Sequence, residues 1–170
     1  MFVVIVTGPP GAGKTHCLLT LSDALAVDGI AHAAIDVDDV SWAYPYPDTG
    51  RRNELLAAAW DAHRGDGHEL LLVAEMVESD AHLAQLFAAA RAEDHLLVRL
   101  EARPETCRAR IVEREPPRWS GLEHLLGEME RWAVSLTELA GVHLVLDSER
   151  LDADELAARI RAERPDVLGG

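Results

Sequence analysis

Residues 8–15 read Gly-Pro-Pro-Gly-Ala-Gly-Lys-Thr, set between an apolar run and a helical pattern. This segment limits the fold more tightly than any other. The run before it, Phe2–Thr7 (FVVIVT), is β-branched and uninterrupted, as in a strand buried on both faces. After it, Leu18, Leu21 and Leu25 recur at helical spacing over Lys14–Val27, and Asp28-Gly29 reads as the C-cap. A strand that feeds a glycine-rich turn and then a helix is the opening of a βαβ unit.

The rest of the chain keeps this alternation. Strands are expected at Ala31–Ile35, Glu69–Ala74, His95–Leu100 and Val142–Leu146. Helices are expected at Arg51–His63, Ser79–Ala92 with Ser79 as N-cap, Pro104–Glu115, Gly121–Leu139 and Leu151–Ala162. Ser41–Gly50 (SWAYPYPDTG) reads as a loop, and Glu163–Gly170 carries little pattern. Five apolar strands separated by helices predict an α/β fold. Its parallel sheet has helices on both faces and right-handed crossovers. With 170 residues, positions 1–170 are expected to form a single domain.

Composition narrows the partners. Acidic residues number 30 against 16 basic ones, for a formal charge of −14. Such a chain repels a phosphate backbone, so no nucleic-acid partner is expected, although a local basic pocket remains open to it. Two cysteines are too few for a disulfide scaffold, and no apolar run is long enough to span a bilayer. The expectation is a cytoplasmic protein with no membrane partner, a monomer or homodimer. The scattered histidines show no metal-ligand spacing, so no zinc is expected.

Gly8–Thr15 matches the phosphate-loop pattern G-x-x-x-x-G-K-[ST] in its proper strand–helix context. Glycines let the backbone wrap an anion with its N–H groups inward, and the helix start adds positive potential. Gly8, Gly11, Ala12, Gly13, Lys14, Thr15 and His16 are therefore the expected nucleotide-binding set. Lys14 can reach the outer phosphates, and the Thr15 hydroxyl can ligate Mg²⁺. Fifteen of the 16 basic residues are arginine, and the one lysine stands where a compact ammonium is needed.

Asp36 and Asp38 follow the second strand, at the edge where an open α/β sheet forms its ligand crevice. One of the two could hold Mg²⁺ and the other accept a hydroxyl proton; the competing reading is a plain acidic N-cap. Arg110 and Arg114 lie four residues apart on one helix face. They suit a triphosphate between them, or else a solvated face.

These residues resemble the P-loop small-molecule and nucleotide kinases, among them shikimate, gluconate, adenylylsulfate, chloramphenicol and adenylate kinases. GPPGAGKT looks like their phosphate loop, IDVD like their D-x-D after strand two, and Pro104 with Arg110 and Arg114 like the entry to their lid. The whole pattern also resembles small, uncharacterised, adenylylsulfate-kinase-like ATP-binding proteins of bacteria. The resemblance implies a P-loop NTPase fold with sheet order 2-3-1-4-5 and a short helical lid around residues 110–125. It implies ATP and Mg²⁺ as cofactors, and transfer of the γ-phosphoryl to a hydroxyl of a small metabolite or antibiotic. Lys14, Asp36, Asp38, Arg110 and Arg114 would be catalytic, with Thr15 and Asp36 at the metal, Arg110 also on the nucleotide, and Asp38 as the base with Asp36 as the second candidate. The chain departs from the family where strand three ends Val73-Ala74-Glu75, with Glu75 in place of the usual Asp. A nucleotide-binding switch without an acceptor and a nucleoside monophosphate kinase are the alternatives. The absence of Asp-x-x-Gly after strand three weighs against a GTPase-type switch.

The acceptor should lie between the second strand and the helix after the Ser41–Gly50 loop. Trp42, Tyr44, Tyr46, Arg51 and Arg52 gather there, and aromatics beside arginines suit a ring-bearing or anionic acceptor. Asp38, Trp42, Tyr44, Arg52 and Glu75 are the expected acceptor-binding residues. Packing of Trp42 and Tyr44 onto the domain is the competing reading. Asp147-Ser148 is placed beside the adenine by fold analogy.

Overall fold

A computed structural model describes residues 1–116, 118, 119 and 121–169, with the backbone alone at 130, 133–135 and 137. The strands are β1 (Phe2–Thr7), β2 (Ala33–Asp36), β3 (Leu70–Ala74), β4 (Asp94–Glu101) and β5 (Leu144–Asp147). They form one parallel sheet in the order β2-β3-β1-β4-β5, as expected. In β1 the pleat sends Val4 and Val6 to one face and Val3 and Ile5 to the other. All four are fully buried, which is why this strand reads as a continuous apolar run.

Each face has its own core. On the first, α1 (Lys14–Val27) packs through Cys17, Leu18, Leu21 and Leu25 beside α5 (Pro104–Arg114), α6 (Leu122–Ser135) and α7 (Ala153–Glu163). On the second, α3 (Thr49–Gly65) and α4 (Asp80–Ala90) bury Leu56, Trp60, Leu83 and Leu86. The Trp60 indole N–H donates to the Ala90 carbonyl at 2.9 Å, which ties the two helices together. The chain leaves β1 for α1 on the first face and β3 for α4 on the second. A crevice therefore opens between β1 and β3 at the carboxyl edge of the sheet. Two bonds hold its rim: Glu75 N–H to the Val6 carbonyl at 3.2 Å, and Val77 N–H to Thr7 Oγ1 at 3.0 Å.

The sequence reading needs correction at several elements. Strand β2 starts at Ala33, not Ala31, because β3 pairs only with residues 33–36. Asp36 is the N-cap of an unforeseen short helix, α2 (Val37–Val40). Helix α3 starts at Thr49, with Asp48 capping the Arg51 amide at 2.8 Å, so the loop is shorter than expected. The helix expected through Leu139 stops at Ser135 and gives way to a 3-10 turn, Leu136–Glu138. Strand β5 lies nearer the C-terminus than expected, over Leu144–Asp147. The tail forms a helical turn, α8 (Pro165–Leu168), anchored by buried Leu168 and by Arg161 Nε to the Leu168 carbonyl at 3.0 Å. Its sequence lacks helical periodicity because one turn shows only one buried residue. Among the described residues, no helix is long and apolar enough to cross a membrane. Pro117 and Ser120, within the expected lid, lie outside the described residues.

Candidate active site

The phosphate loop joins β1 to α1. Gly11 touches the start of α5 so closely that a Cβ there would stand 2.5 Å from the Cys107 carbonyl oxygen. Gly13 meets no such crowding, but its φ of 92° is a conformation that side chains rarely adopt. As N-cap it offers no side chain to the amides of Lys14, Thr15 and His16, which could therefore hold an anion. Lys14 Nζ folds back on the loop and donates to the carbonyls of Gly8 at 3.0 Å and Pro9 at 3.3 Å. Burial holds its pKa below the ordinary lysine value, while Asp38, Glu75 and Asp36 pull it back up. Ala12 is buried within the loop, and the His16 side chain is exposed.

The β2 edge meets this loop directly. Thr15 Oγ1 donates to Asp36 Oδ2 at 2.6 Å, and Asp36 Oδ1 accepts the Asp38 amide at 3.0 Å. Asp36 is thus both the expected N-cap and the partner of the loop hydroxyl. Burial raises its pKa, and the bonds from Thr15 and Asp38 act against that.

Asp38 belongs to a second cluster. Its Oδ1 accepts from Tyr46 Oη at 2.8 Å and from Arg52 Nη2 at 2.7 Å. The same Nη2 lies 2.9 Å and 3.0 Å from the two oxygens of Glu75, which also takes the Met76 amide at 2.8 Å. The Arg52 guanidinium sits over the Tyr46 ring, 5.2 Å from its centroid, and its Nε is buried without a hydrogen-bond partner among the described residues. The Glu75 side chain is only 2% exposed. Burial pushes its pKa up to about 7, against the pull of Arg52. Tyr46 as a residue is largely exposed, yet its hydroxyl lies inside this corner. Burial there and the bond to Asp38 push it up to about 12.

Trp42 and Tyr44 stand elsewhere. They are 83% and 100% exposed, so neither packs onto the domain. No hydrogen bond or ring contact joins them to Asp38, Arg52 or Glu75 among the described residues. The aromatic residue in the corner is Tyr46, which the expected acceptor-binding set leaves out. Nothing in spacing separates Tyr44 from Tyr46; only the path of the loop back to Asp38 does. Arg51 pairs with Glu54 on the surface.

Arg110 and Arg114 also part company. Arg110 donates to the Gly11 carbonyl and Ser148 Oγ, each at 3.2 Å, and to the Ser148 carbonyl at 2.8 Å. It therefore clamps the phosphate loop to the turn after β5, the region placed beside the adenine. Arg114 is exposed and pairs with Glu115, though its charge still depresses the Lys14 pKa. Cys17 and Cys107 are buried free thiols, and burial pushes Cys17 up to about 12.

The sequence matches no protein-family profile and no curated protein. Solved structures do match the fold. A sugar kinase from Janibacter is similar at 18% identity, with 99% of this chain and 96% of that chain covered and a TM-score of 0.65. The APS kinase of Mycobacterium tuberculosis, in complex with AMPPNP and APS, is similar at 22% identity over 99% and 97%, with a TM-score of 0.62. Shikimate kinase from Acinetobacter baumannii, in complex with shikimate, is similar at 15% identity over 97% and 93%, with a TM-score of 0.57. These likenesses run over nearly the whole length of each chain, and with the sheet order and the loop they show that this chain has the P-loop fold found in kinases of small molecules.

Proposed function

We propose that this protein transfers the γ-phosphoryl group of Mg·ATP to a hydroxyl of a small acceptor. The observation that carries the reading is the 2.6 Å contact between Thr15 and Asp36, which joins the phosphate loop to the β2 edge with Asp38 next in line. The Thr15 hydroxyl and the Asp36 carboxylate are hard oxygen donors at one spot beside the helix N-terminus. That donor set fits Mg²⁺, which takes its other ligands from phosphates and water. No cluster of three metal-binding side chains exists among the described residues, and Mg²⁺ held this way needs none. When bound, the ion neutralises charge on the phosphate oxygens.

The chain's own residues do the rest. The amides at the start of α1 hold the phosphates, and Lys14 exchanges its carbonyl partners for phosphate oxygens. Arg110 keeps the loop seated, and Arg114 turns from Glu115 to the transferring group as the site closes. Both partners of Asp38 take Oδ1, so Oδ2 keeps its lone pairs for the acceptor hydroxyl and its proton. Arg52, Tyr46 and Glu75 position Asp38.

The test is ADP release from Mg·ATP, alone and with pooled hydroxylated acceptors. A rise with one pool is expected, and Lys14→Ala should lower it by roughly 100-fold or more while the fold stays intact. Release that ignores every pool, or that survives Lys14→Ala, overturns the reading.

A further inference from the structure

The corner that faces the acceptor has an unusual charge balance. Arg52 is its one arginine, and its charge is already balanced by carboxylates, although its Nε is buried without a hydrogen-bond partner among the described residues. Asp38 and Glu75 share Nη2 at 2.7–3.0 Å, and Tyr46 covers one face of the guanidinium. Whichever protonation state Glu75 takes, the Asp38–Arg52–Glu75 cluster is neutral or singly negative, never positive. The other cations nearby have partners or other work. Lys14 belongs to the phosphate loop, Arg51 pairs with Glu54, and Arg114 pairs with Glu115 or, in the phosphotransfer reading, turns to the transferring phosphoryl group. A carboxylate or phosphate on the acceptor would arrive beside Asp38 with no uncommitted positive charge to meet it. Like charges in a partly desolvated site repel strongly.

We propose that Glu75, together with Asp38, determines acceptor specificity by neutralising Arg52. The corner takes a hydroxylated compound that is uncharged or carries an ammonium group, and rejects one with an anionic group near its reacting hydroxyl. This rests on the phosphotransfer reading. It replaces the anionic acceptor that the arginine-rich sequence suggested. Glu75 acts through Arg52, so it is a positioning and specificity residue rather than a catalytic one.

Binding tests it without turnover. With Mg·AMPPNP present, the full-length protein is titrated with three matched panels: amino sugars and amino alcohols, uncharged polyols, and sugar acids. Wild type is expected to bind the best amine or polyol at least tenfold more tightly than the best acid. Measured at pH 8, Glu75→Gln should shift that ratio toward the acids by about tenfold, because it removes the Glu75 share of the negative charge around Arg52. Asp38→Asn, at a largely exposed side chain, should shift the ratio the same way and guards against misfolding of the first variant. Acids that bind wild type as tightly as the other panels overturn the proposal. So does a ratio that folded Glu75→Gln leaves unmoved, or the absence of any preference, whether from equal binding or from none. ADP release with the same panels is scored apart. If the charge preference holds but no acceptor is phosphorylated, the kinase reading falls and the selectivity of the corner stands.

Discussion

The phosphate loop and the acceptor corner lie side by side on the same sheet edge, but they are built in opposite ways. The loop is eight consecutive residues, and its shape comes from backbone conformations that glycine allows at Gly11 and Gly13. The corner draws Asp38 from α2, Tyr46 from a loop, Arg52 from α3 and Glu75 from the end of β3. The loop takes its shape locally. The corner buries a carboxylate and leaves the Arg52 Nε without a partner among the described residues, an arrangement that costs about 1–3 kcal/mol for the orphaned donor alone. A local device tolerates no change in its backbone. A tertiary device tolerates backbone change but responds to the charge of each member.

The largest effect should therefore come from the loop. Gly11→Ala drives a Cβ into the Cys107 carbonyl at 2.5 Å and forces a side chain onto a φ of 81°, so α5 or the loop must move. A destabilisation of about 3 kcal/mol is expected, with loss of nucleotide affinity. Gly13→Ala meets open space and bears the backbone strain alone, so about 1–2 kcal/mol is expected. Urea unfolding and AMPPNP titration of both variants measure the gap. Equal losses would mean that crowding against α5 does not matter, and the contrast between local and tertiary construction would weaken.

The same difference decides what the sequence disclosed. The β1–loop–α1 unit was legible because strand periodicity and glycine spacing are local signals, whereas the sheet order and the approach of Asp36 to Thr15 were implied by the resemblance to P-loop kinases. Glu75 could be picked out as a departure after strand three, and Arg52 as a basic residue near the acceptor. Their pairing could not, because 23 residues separate them and only the packing of α3 on the sheet brings them together. Trp42 and Tyr44 drew notice as aromatics, but composition cannot show which way a proline-rich loop turns. Tyr46, two residues on, carries the contact to Asp38. Helices α2 and α8 went unseen because a single turn has no period to detect.

A middle-sized effect belongs to the corner and depends on pH. The Glu75 pKa is raised in the fold from an ordinary 4.5 to about 7, chiefly by burial. The folded state then binds this proton more tightly than the unfolded chain. The stability that it contributes is fully present below about pH 4.5 and is lost as pH rises through 7. The loss amounts to about 3 kcal/mol at most. Asp36, also raised, acts in the same direction, and His82, lowered by burial, acts in the opposite one. The measurement must isolate Glu75, so the stability of Glu75→Gln is compared with that of wild type at each pH. Relative to wild type, the variant should gain stability steadily between pH 5 and pH 8. A flat difference would show that Arg52 keeps Glu75 ionised throughout, and the corner would then carry a full negative charge at every pH.

The smallest effect sharpens the comparison from outside both devices. Trp42→Ala and Tyr44→Ala remove side chains that are 83% and 100% exposed, so each should change stability by less than about 0.5 kcal/mol. Tyr46→Phe takes away one hydrogen bond to Asp38 and should cost about 1 kcal/mol. If the corner alone reads the acceptor, only Tyr46→Phe will also alter the KM for it. If Trp42→Ala or Tyr44→Ala raises that KM while leaving the melting temperature in place, the loop folds over the bound acceptor. The aromatic residues that lie outside the corner in this structure would then complete it.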